Sequence, residues 1–113
     1  MKTIISILIA IRISCFVNAQ KAQTDTLNFK VEGVCEMCKQ RIEEASLIKG
    51  VKSAKWDKGT GILTAIIRPD KVTEDDIHKS ISNVGYTTSK VKATEAAYKK
   101  LPKCCRYNEL EKH

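Results

Sequence analysis

The chain has 113 residues, a formal net charge of +7 and five cysteines. This length allows one modest domain and argues against a large enclosed active site. The basic excess is mostly lysine, without an arginine cluster or an interleaved aromatic platform, so the composition disfavours a nucleic-acid partner and indicates a solvated surface suited to an acidic partner or an anionic membrane.

The first nineteen residues differ from the rest. A basic residue precedes an apolar stretch, and small or modest residues precede an expected cleavage site before Gln20. Arg12 interrupts the apolar stretch, which argues against a transmembrane helix and makes lipid attachment at Cys15 the lesser alternative. We predict a cleaved signal peptide over residues 1–19 and an exported protein, periplasmic in a Gram-negative source, without stable membrane insertion after cleavage. The mature chain would carry 18 basic and 13 acidic side chains, a formal charge of +5.

The next part of the chain alternates strand and helix patterns. The stretch "LNFKVEG" alternates apolar and polar residues, as a half-buried strand does. The stretch "KQRIEEASLIK" has an apolar stripe at helical spacing, and Gly50 is placed to cap its C-terminus. Two strand-like runs follow, "VKSAKWD" and "GILTAIIR", joined by a glycine-containing turn. These two strands are expected to pair antiparallel.

A second helix and a last strand follow. Pro69 ends the third strand, Thr73 is placed to cap a helix, and Gly85 is placed to end it. The stretch "YTTSKVKA" then predicts a fourth strand. The resulting order over residues 26–92 fits the split βαβ, ferredoxin-like α+β sandwich, with a four-stranded antiparallel sheet and two helices on one face.

Cys35 and Cys38 lie between the first predicted strand and the first predicted helix. Free amide groups and the dipole at a helix start favour thiolate over thiol. Two thiolates at this spacing can hold one soft ion, such as Cu(I), Zn(II) or a heavier relative of zinc. A redox couple and a structural disulfide are the competing interpretations. Val34 before the pair, and the lack of a proline predicted opposite it, disfavour the redox couple.

Several stretches together resemble the heavy-metal-associated domain family, which includes copper chaperones, the metal-binding domains of copper-exporting P-type ATPases and periplasmic mercury-binding proteins. They are the strand "FKVEG", the Cys35-x-x-Cys38 pair before "IEEA", the strand "GVKSAKWD", and "VGY" after the second helix. The loop before the pair is one residue shorter than the family pattern and lacks its methionine. On this resemblance residues 26–92 are assigned as a heavy-metal-associated domain.

The resemblance implies a function and a set of site residues. Cys35 and Cys38 would be the metal thiolates, and Tyr86 would lie on the loop beside them. The protein would bind Cu(I) and pass it to a metal-exporting or metal-importing membrane transporter, or to another CxxC domain. Scavenging of Hg(II) is the alternative within the family. No catalytic constellation is visible, so we do not expect an enzyme.

Residues 93–113 form a predicted tail that contains Cys104 and Cys105. Adjacent cysteines bond to each other only through a strained ring. They could be auxiliary metal ligands or a relay, they could form disulfides with another cysteine or another chain, or they could have no metal role. The sequence leaves these alternatives open.

The sequence also predicts the environment or role of four other residues. Met37, between the cysteines of the pair, is expected to be an exposed or packing methionine rather than a thioether ligand. Lys39 is expected both to stabilise the thiolates and to dock an acidic partner face. Trp56 is expected to pack in the core or on a sheet face rather than to form a binding platform, and His78 is expected to face solvent.

Overall fold

The computed structural model describes residues 23–108, so the predicted signal peptide lies outside the described residues. Within these residues the secondary structure consists, in chain order, of β1 (Asp25–Lys30), α1 (Glu36–Ser46), β2 (Val51–Trp56), β3 (Ile62–Ile67), α2 (Glu74–Asn83), α3 (Glu95–Lys99) and a 3₁₀ turn (Lys103–Cys105). Across this part of the chain no helix is both long enough and apolar enough to cross a membrane.

The three strands form one antiparallel sheet in the order β1-β3-β2. The predicted β2–β3 hairpin is formed. The strands β1 and β2, which α1 connects, lie on either side of the central strand β3. Along β3, Leu63, Ala65 and Ile67 are buried while the residues between them are more exposed, which is the two-residue period of a strand with one face covered. Ile42 of α1 and Ile77 of α2 belong to the same core cluster as this face. The α+β class predicted from the sequence is confirmed.

The predicted fourth strand, over residues 86–93, is not formed in the described structure. Val31 and Thr88 make an isolated antiparallel bridge beyond the end of β1, flanked by two backbone hydrogen bonds of 2.9 and 3.0 Å. Pairing ends there because the Thr88 hydroxyl accepts from the backbone N–H groups of Lys90 (3.3 Å) and Val91 (3.0 Å). This local turn competes with the strand ladder and bends the chain away from the sheet.

The end of α1 also differs from the prediction. The helix ends at Ser46, and Gly50 lies in the turn into β2 instead of capping the helix. The buried Ser46 hydroxyl donates to the carbonyl of Ile42 at 2.7 Å, a local bond that weakens helix propagation. Gly50 has a φ of +98°, and a Cβ there would lie 2.8 Å from the side chain of Val72. Glycine is required at this position by backbone conformation and by close packing.

The end of α2 determines where the chain goes next. Thr73 caps the start of this helix in a reciprocal capping box, as predicted. At its end Gly85 has a φ of +106°, and its N–H donates to the carbonyl of Ser82 at 3.1 Å. The N–H of Tyr86 donates to the carbonyl of Ile81 at 3.3 Å, which completes a Schellman motif. This reversal turns Tyr86 into the core, where it is fully buried.

Residues 94–108, which we call the C-terminal strap, pack back onto the domain. Leu101 is buried, and a Cβ added at Gly85 would lie 2.9 Å from its Cγ. The ring of Tyr107 stacks on Tyr86 with centroids 5.8 Å apart. The Tyr107 hydroxyl donates to the carbonyl of Gly85 at 2.9 Å and accepts from a neighbouring backbone N–H at 3.0 Å. Apolar burial and hydrogen bonds therefore hold the strap against the end of α2.

Candidate metal centre

The two cysteines of the CxxC motif lie at the N-terminus of α1. Cys35 is the N-cap residue, with extended backbone angles (φ −149°, ψ 174°), and Cys38 lies in the first turn. Their Sγ atoms are 3.2 Å apart, and both cysteines are free thiols. Cys35 is only 7% exposed and Cys38 is fully buried. The start of the helix therefore places two sulfurs side by side under a thin covering.

Trp56 supports the loop that carries this pair. The indole Nε1 donates to the carbonyls of Val31 (3.0 Å) and Gly61 (3.1 Å), so its polar atom is satisfied in the core. A Cβ at Gly33 would lie 2.9 Å from the Trp56 ring and 3.2 Å from the Cβ of Cys38. The loop can lie this close to the indole because residue 33 has no side chain. The core position predicted for Trp56 is confirmed.

A third thiol joins the pair from the other end of the chain. Cys105, in the 3₁₀ turn of the strap, is fully buried, and its Sγ lies 3.9 Å from the Sγ of Cys35. The Sγ atoms of Cys35, Cys38 and Cys105 all lie within 4.8 Å of one another. This juxtaposition joins residues 70 positions apart in sequence, which no local pattern could indicate.

Cys104 occupies a different environment from its neighbour. Its side chain is exposed, and its Sγ lies 3.8 Å from the Sδ of Met37, which is itself 45% exposed. The Sγ atoms of Cys104 and Cys105 are 3.9 Å apart and are not bonded. The structure therefore brings Cys105 into the buried thiol group and leaves Cys104 and Met37 as a surface pair beside it.

The surroundings shift the pKa values of two of the thiols in opposite directions. Burial opposes ionisation of Cys35, but hydrogen bonds from the backbone N–H groups of Cys38 and Met37 and from neighbouring thiols outweigh it, so the pKa of Cys35 lies below its usual value. Burial raises the pKa of Cys105 to about 12, with the nearby thiols of the pair adding to the effect. In the metal-free protein Cys35 is thus more readily ionised than Cys105.

Tyr86 closes the thiol group on the side of α2. Its hydroxyl is buried and has no well-formed hydrogen bond within residues 23–108. It lies close enough to interact with the thiols of Cys105 and Cys38, and burial together with these interactions raises the pKa of Tyr86 above its usual range. An unpaired buried hydroxyl costs about 1–3 kcal/mol. A negatively charged sulfur beside it would accept this hydrogen bond, so the surroundings suit a thiolate ligand.

His78 does not face solvent, contrary to the prediction. It is fully buried and stacks on Phe29 with ring centroids 3.9 Å apart. One ring nitrogen is hydrogen-bonded to the Thr88 hydroxyl and the other to the Glu74 carboxylate at 3.0 Å. His78 lies three residues before Ile81, a spacing that puts both residues on one face of α2, so the sequence could have indicated its burial. Since both nitrogens have partners, His78 is a core histidine apart from the thiol group.

Lys39 is also placed differently from the expectation. Its ammonium group forms an ion pair with Glu43 at 3.0 Å and donates to the carbonyl of Trp56 at 3.2 Å. These contacts join α1 to β2. The structure thus shows Lys39 in a role that connects two elements of the fold, whereas the Cys35 thiol interacts with the backbone N–H groups of Cys38 and Met37.

Comparison with known proteins gave matches among solved structures. No family model matches the sequence, and no curated protein matches it significantly. The chain is 29% identical to a structure described as CopZ metallochaperone, over 57% of this chain and 98% of that one, with a TM-score of 0.55. It is 26% identical to the N-terminal domain of a potential copper-translocating P-type ATPase from Bacillus subtilis in the Cu(I)-loaded state, over 58% and 85% of the two chains, with a TM-score of 0.55.

A third match extends the fold likeness. Oxidized MerP from Ralstonia metallidurans CH34 is 22% identical, over 59% of this chain and 96% of that one, with a TM-score of 0.56. The domain is therefore similar to heavy-metal-associated domains and resembles copper chaperones and MerP, as predicted from its sequence. Its thiol group provides the residue types that bind soft metals.

Proposed function

We propose that this protein binds a soft transition-metal ion, Cu(I) in the first place, through Cys35 and Cys38, and passes it to a partner by thiolate exchange. The observation that carries the proposal is the pair of free thiols 3.2 Å apart at the N-terminus of α1. The hydrogen bonds there lower the pKa of Cys35, which favours the thiolate form that binds metal. Soft sulfur ligands select Cu(I) over hard cations.

The matched structures support transfer as the purpose of binding. CopZ is described as a metallochaperone, and the ATPase domain from Bacillus subtilis was determined in the Cu(I)-loaded state. We infer that the partner is a metal transporter or another CxxC domain, and that the protein acts as a carrier rather than as an enzyme. The predicted signal peptide supports an exported protein that meets this partner outside the cytoplasm, in the periplasm of a Gram-negative source.

We propose that the frame of the site is the ferredoxin-like sandwich with both helices over one face of the sheet. Ile42 of α1 and Ile77 and Ile81 of α2 share one core cluster with the buried residues of β3, which supports this arrangement. The N-terminus of α1, and with it the thiol pair, would then lie at one edge of the sandwich, where a partner can approach.

Hg(II) is the second candidate ion. The fold likeness to MerP and the thiol group without nitrogen or oxygen ligands favour it as an alternative cargo. Zn(II) is less well matched, because structural zinc sites usually have four ligands and the group within residues 23–108 brings together three.

The first experiment is a competitive Cu(I) titration of the reduced protein without residues 1–19, beside the Cys35→Ser/Cys38→Ser double variant. One equivalent should bind tightly to the wild-type protein, the double variant should lose this binding, and an apo CxxC acceptor domain should withdraw the ion. The reduction potential of the thiols is measured on the same samples. Weak Cu(I) binding, together with an oxidising potential and rapid exchange with protein disulfides, would replace the metal carrier with a thiol–disulfide protein.

A further inference from the structure

We propose that the C-terminal strap supplies a third metal ligand, the Sγ of Cys105, so that the ion is held by three thiolates in an enclosed site. This inference rests on the proposed function, because it concerns the same ion and the same pair of cysteines. It adds a ligand from outside the CxxC motif and assigns a role to the strap.

The distances between the sulfurs favour three ligands over two. With metal–sulfur bonds of about 2.3 Å, as zinc makes, a linear pair would place its sulfurs about 4.6 Å apart and a planar trio about 4.0 Å apart. The Sγ atoms of Cys35 and Cys38 are 3.2 Å apart, and those of Cys35 and Cys105 are 3.9 Å apart. The Sγ atoms of Cys35 and Cys38 must move further apart for a linear site than for a planar three-sulfur site. The Sγ of Cys105 already lies at the planar-trio distance from the Sγ of Cys35 and within 4.8 Å of the Sγ of Cys38.

The strap holds Cys105 in place before any ion binds. Leu101 on one side of the cysteine is buried in the core, and Tyr107 on the other side is hydrogen-bonded to the turn after α2. Arg106 also donates to the carbonyls of Leu101 (3.3 Å) and Lys99 (3.2 Å), which tightens the strap on itself. Because the third sulfur is pre-positioned, little additional ordering is needed when it coordinates.

The surroundings of the three sulfurs suit the charge that such a complex would carry. Each coordinating thiol loses one proton to solvent, so three thiolates around one Cu(I) carry a net charge of −2. The backbone N–H groups at the start of α1 already interact with Cys35, and the unpaired Tyr86 hydroxyl lies beside Cys38 and Cys105. These donors would stabilise the negative sulfurs in a site largely shielded from water.

This arrangement has a consequence for transfer. Two of the ligands belong to the start of a helix, whereas the third belongs to a strap attached through side-chain packing. An incoming dithiol would displace Cys105 first, because moving the strap breaks fewer backbone hydrogen bonds than unwinding α1.

The test counts sulfur ligands by X-ray absorption on the Cu(I)-loaded protein, with Cys104→Ser as the matched control for Cys105→Ser. Cys104 is a suitable control because it is next to Cys105 in sequence, is exposed, and is replaced by the same residue. We expect three sulfurs in the wild-type protein and in Cys104→Ser, and two in Cys105→Ser. Competitive titration should show the Cu(I) affinity of Cys105→Ser reduced at least about tenfold. Substituting residues that only hydrogen-bond to metal ligands already reduces metal affinity by that factor.

The outcomes separate this inference from the proposed function. Two sulfurs in the wild-type protein, with binding lost in the Cys35→Ser/Cys38→Ser variant and unchanged in Cys105→Ser, would overturn the third ligand and leave the carrier intact. Absence of Cu(I) binding that depends on Cys35 and Cys38 would overturn both. A count of two in the wild-type protein overturns the third ligand without any variant. A count of three in Cys104→Ser assigns the third sulfur to Cys105 even if Cys105→Ser fails to fold; Cys105→Ala and circular dichroism check folding.

Discussion

The two cysteine pairs of this chain differ in what holds them. Cys35 is the N-cap and Cys38 lies in the first turn of an eleven-residue helix, where backbone N–H groups interact with the Cys35 sulfur. Cys104 and Cys105 lie on a 3₁₀ turn of three residues, and one of them is buried while the other is exposed. The pKa is lowered for Cys35 and raised to about 12 for Cys105.

This comparison shows that the same residue type acquires its chemistry from two different sources. The pair on α1 owes its position and its hydrogen bonds to nearby backbone, and therefore to local sequence. The strap pair owes its position to Leu101 and Tyr107, which pack on the Gly85 turn. Variants that disturb one of these sources and leave the other intact test whether the two pairs are held independently.

The largest effect is expected for Trp56→Ala, which removes the support beneath the CxxC loop. Replacing a buried Trp by Ala should lower the free energy of unfolding by about 3–5 kcal/mol, because it leaves a large cavity. Urea denaturation measures this loss, and Trp56→Phe serves as the control that keeps a ring but loses the Nε1 donor. An unchanged midpoint in Trp56→Ala would show that the loop does not depend on the indole.

Leu101→Ala should detach the strap while leaving the pair on α1 in place. The expected loss of unfolding free energy is about 2–5 kcal/mol for a fully buried leucine. Leu47→Ala is the matched control, since Leu47 is exposed and its change should stay within about 0.5 kcal/mol. Mass spectrometry after brief alkylation should find Cys105 modified faster in Leu101→Ala. Equal labelling in the two variants would contradict the role of Leu101 in holding the strap.

Tyr107→Phe should have a smaller effect in the same direction. The change removes the hydrogen bond to the Gly85 carbonyl and the one from the Thr87 N–H while keeping the ring stacked on Tyr86, and it should lower the unfolding free energy by about 0.5–1.5 kcal/mol for each bond. Hydrogen exchange of the strap amides should be faster. Protection equal to that of the wild-type protein would mean that ring packing alone holds this end of the strap.

The last prediction concerns ionisation in the metal-free, reduced protein and needs no substitution. Carbon-13 chemical shifts of the cysteine Cβ atoms, followed against pH, should show Cys35 ionising below the usual range for a thiol. Cys105 should stay protonated until the pH approaches about 12, because burial disfavours its charged form. The reverse order of titration would mean that the local hydrogen bonds at α1 do not control Cys35.

Much of the fold could be predicted because its signals are local. The capping box at Thr73, the glycine that ends α2 and the two-residue period of β1 and β3 each depend on a few neighbouring residues. The fourth strand was predicted wrongly because the Thr88 side chain forms a turn that the β-branched composition of the segment does not reveal. His78 was predicted wrongly because Glu74 on the same helix and Thr88 beyond the helix both bond to a ring that polarity alone would place in solvent.

The position of two cysteines at the start of a helix could be predicted from the sequence, since a strand pattern, a CxxC spacing and a helical stripe follow one another directly. Which cysteine of the strap joins them is set by the folded structure. That choice depends on contacts between residues about 70 positions apart, made by the packing of Leu101 and Tyr107 on the turn after α2. Burial against distant residues is a property of the folded chain, and no local pattern contains it.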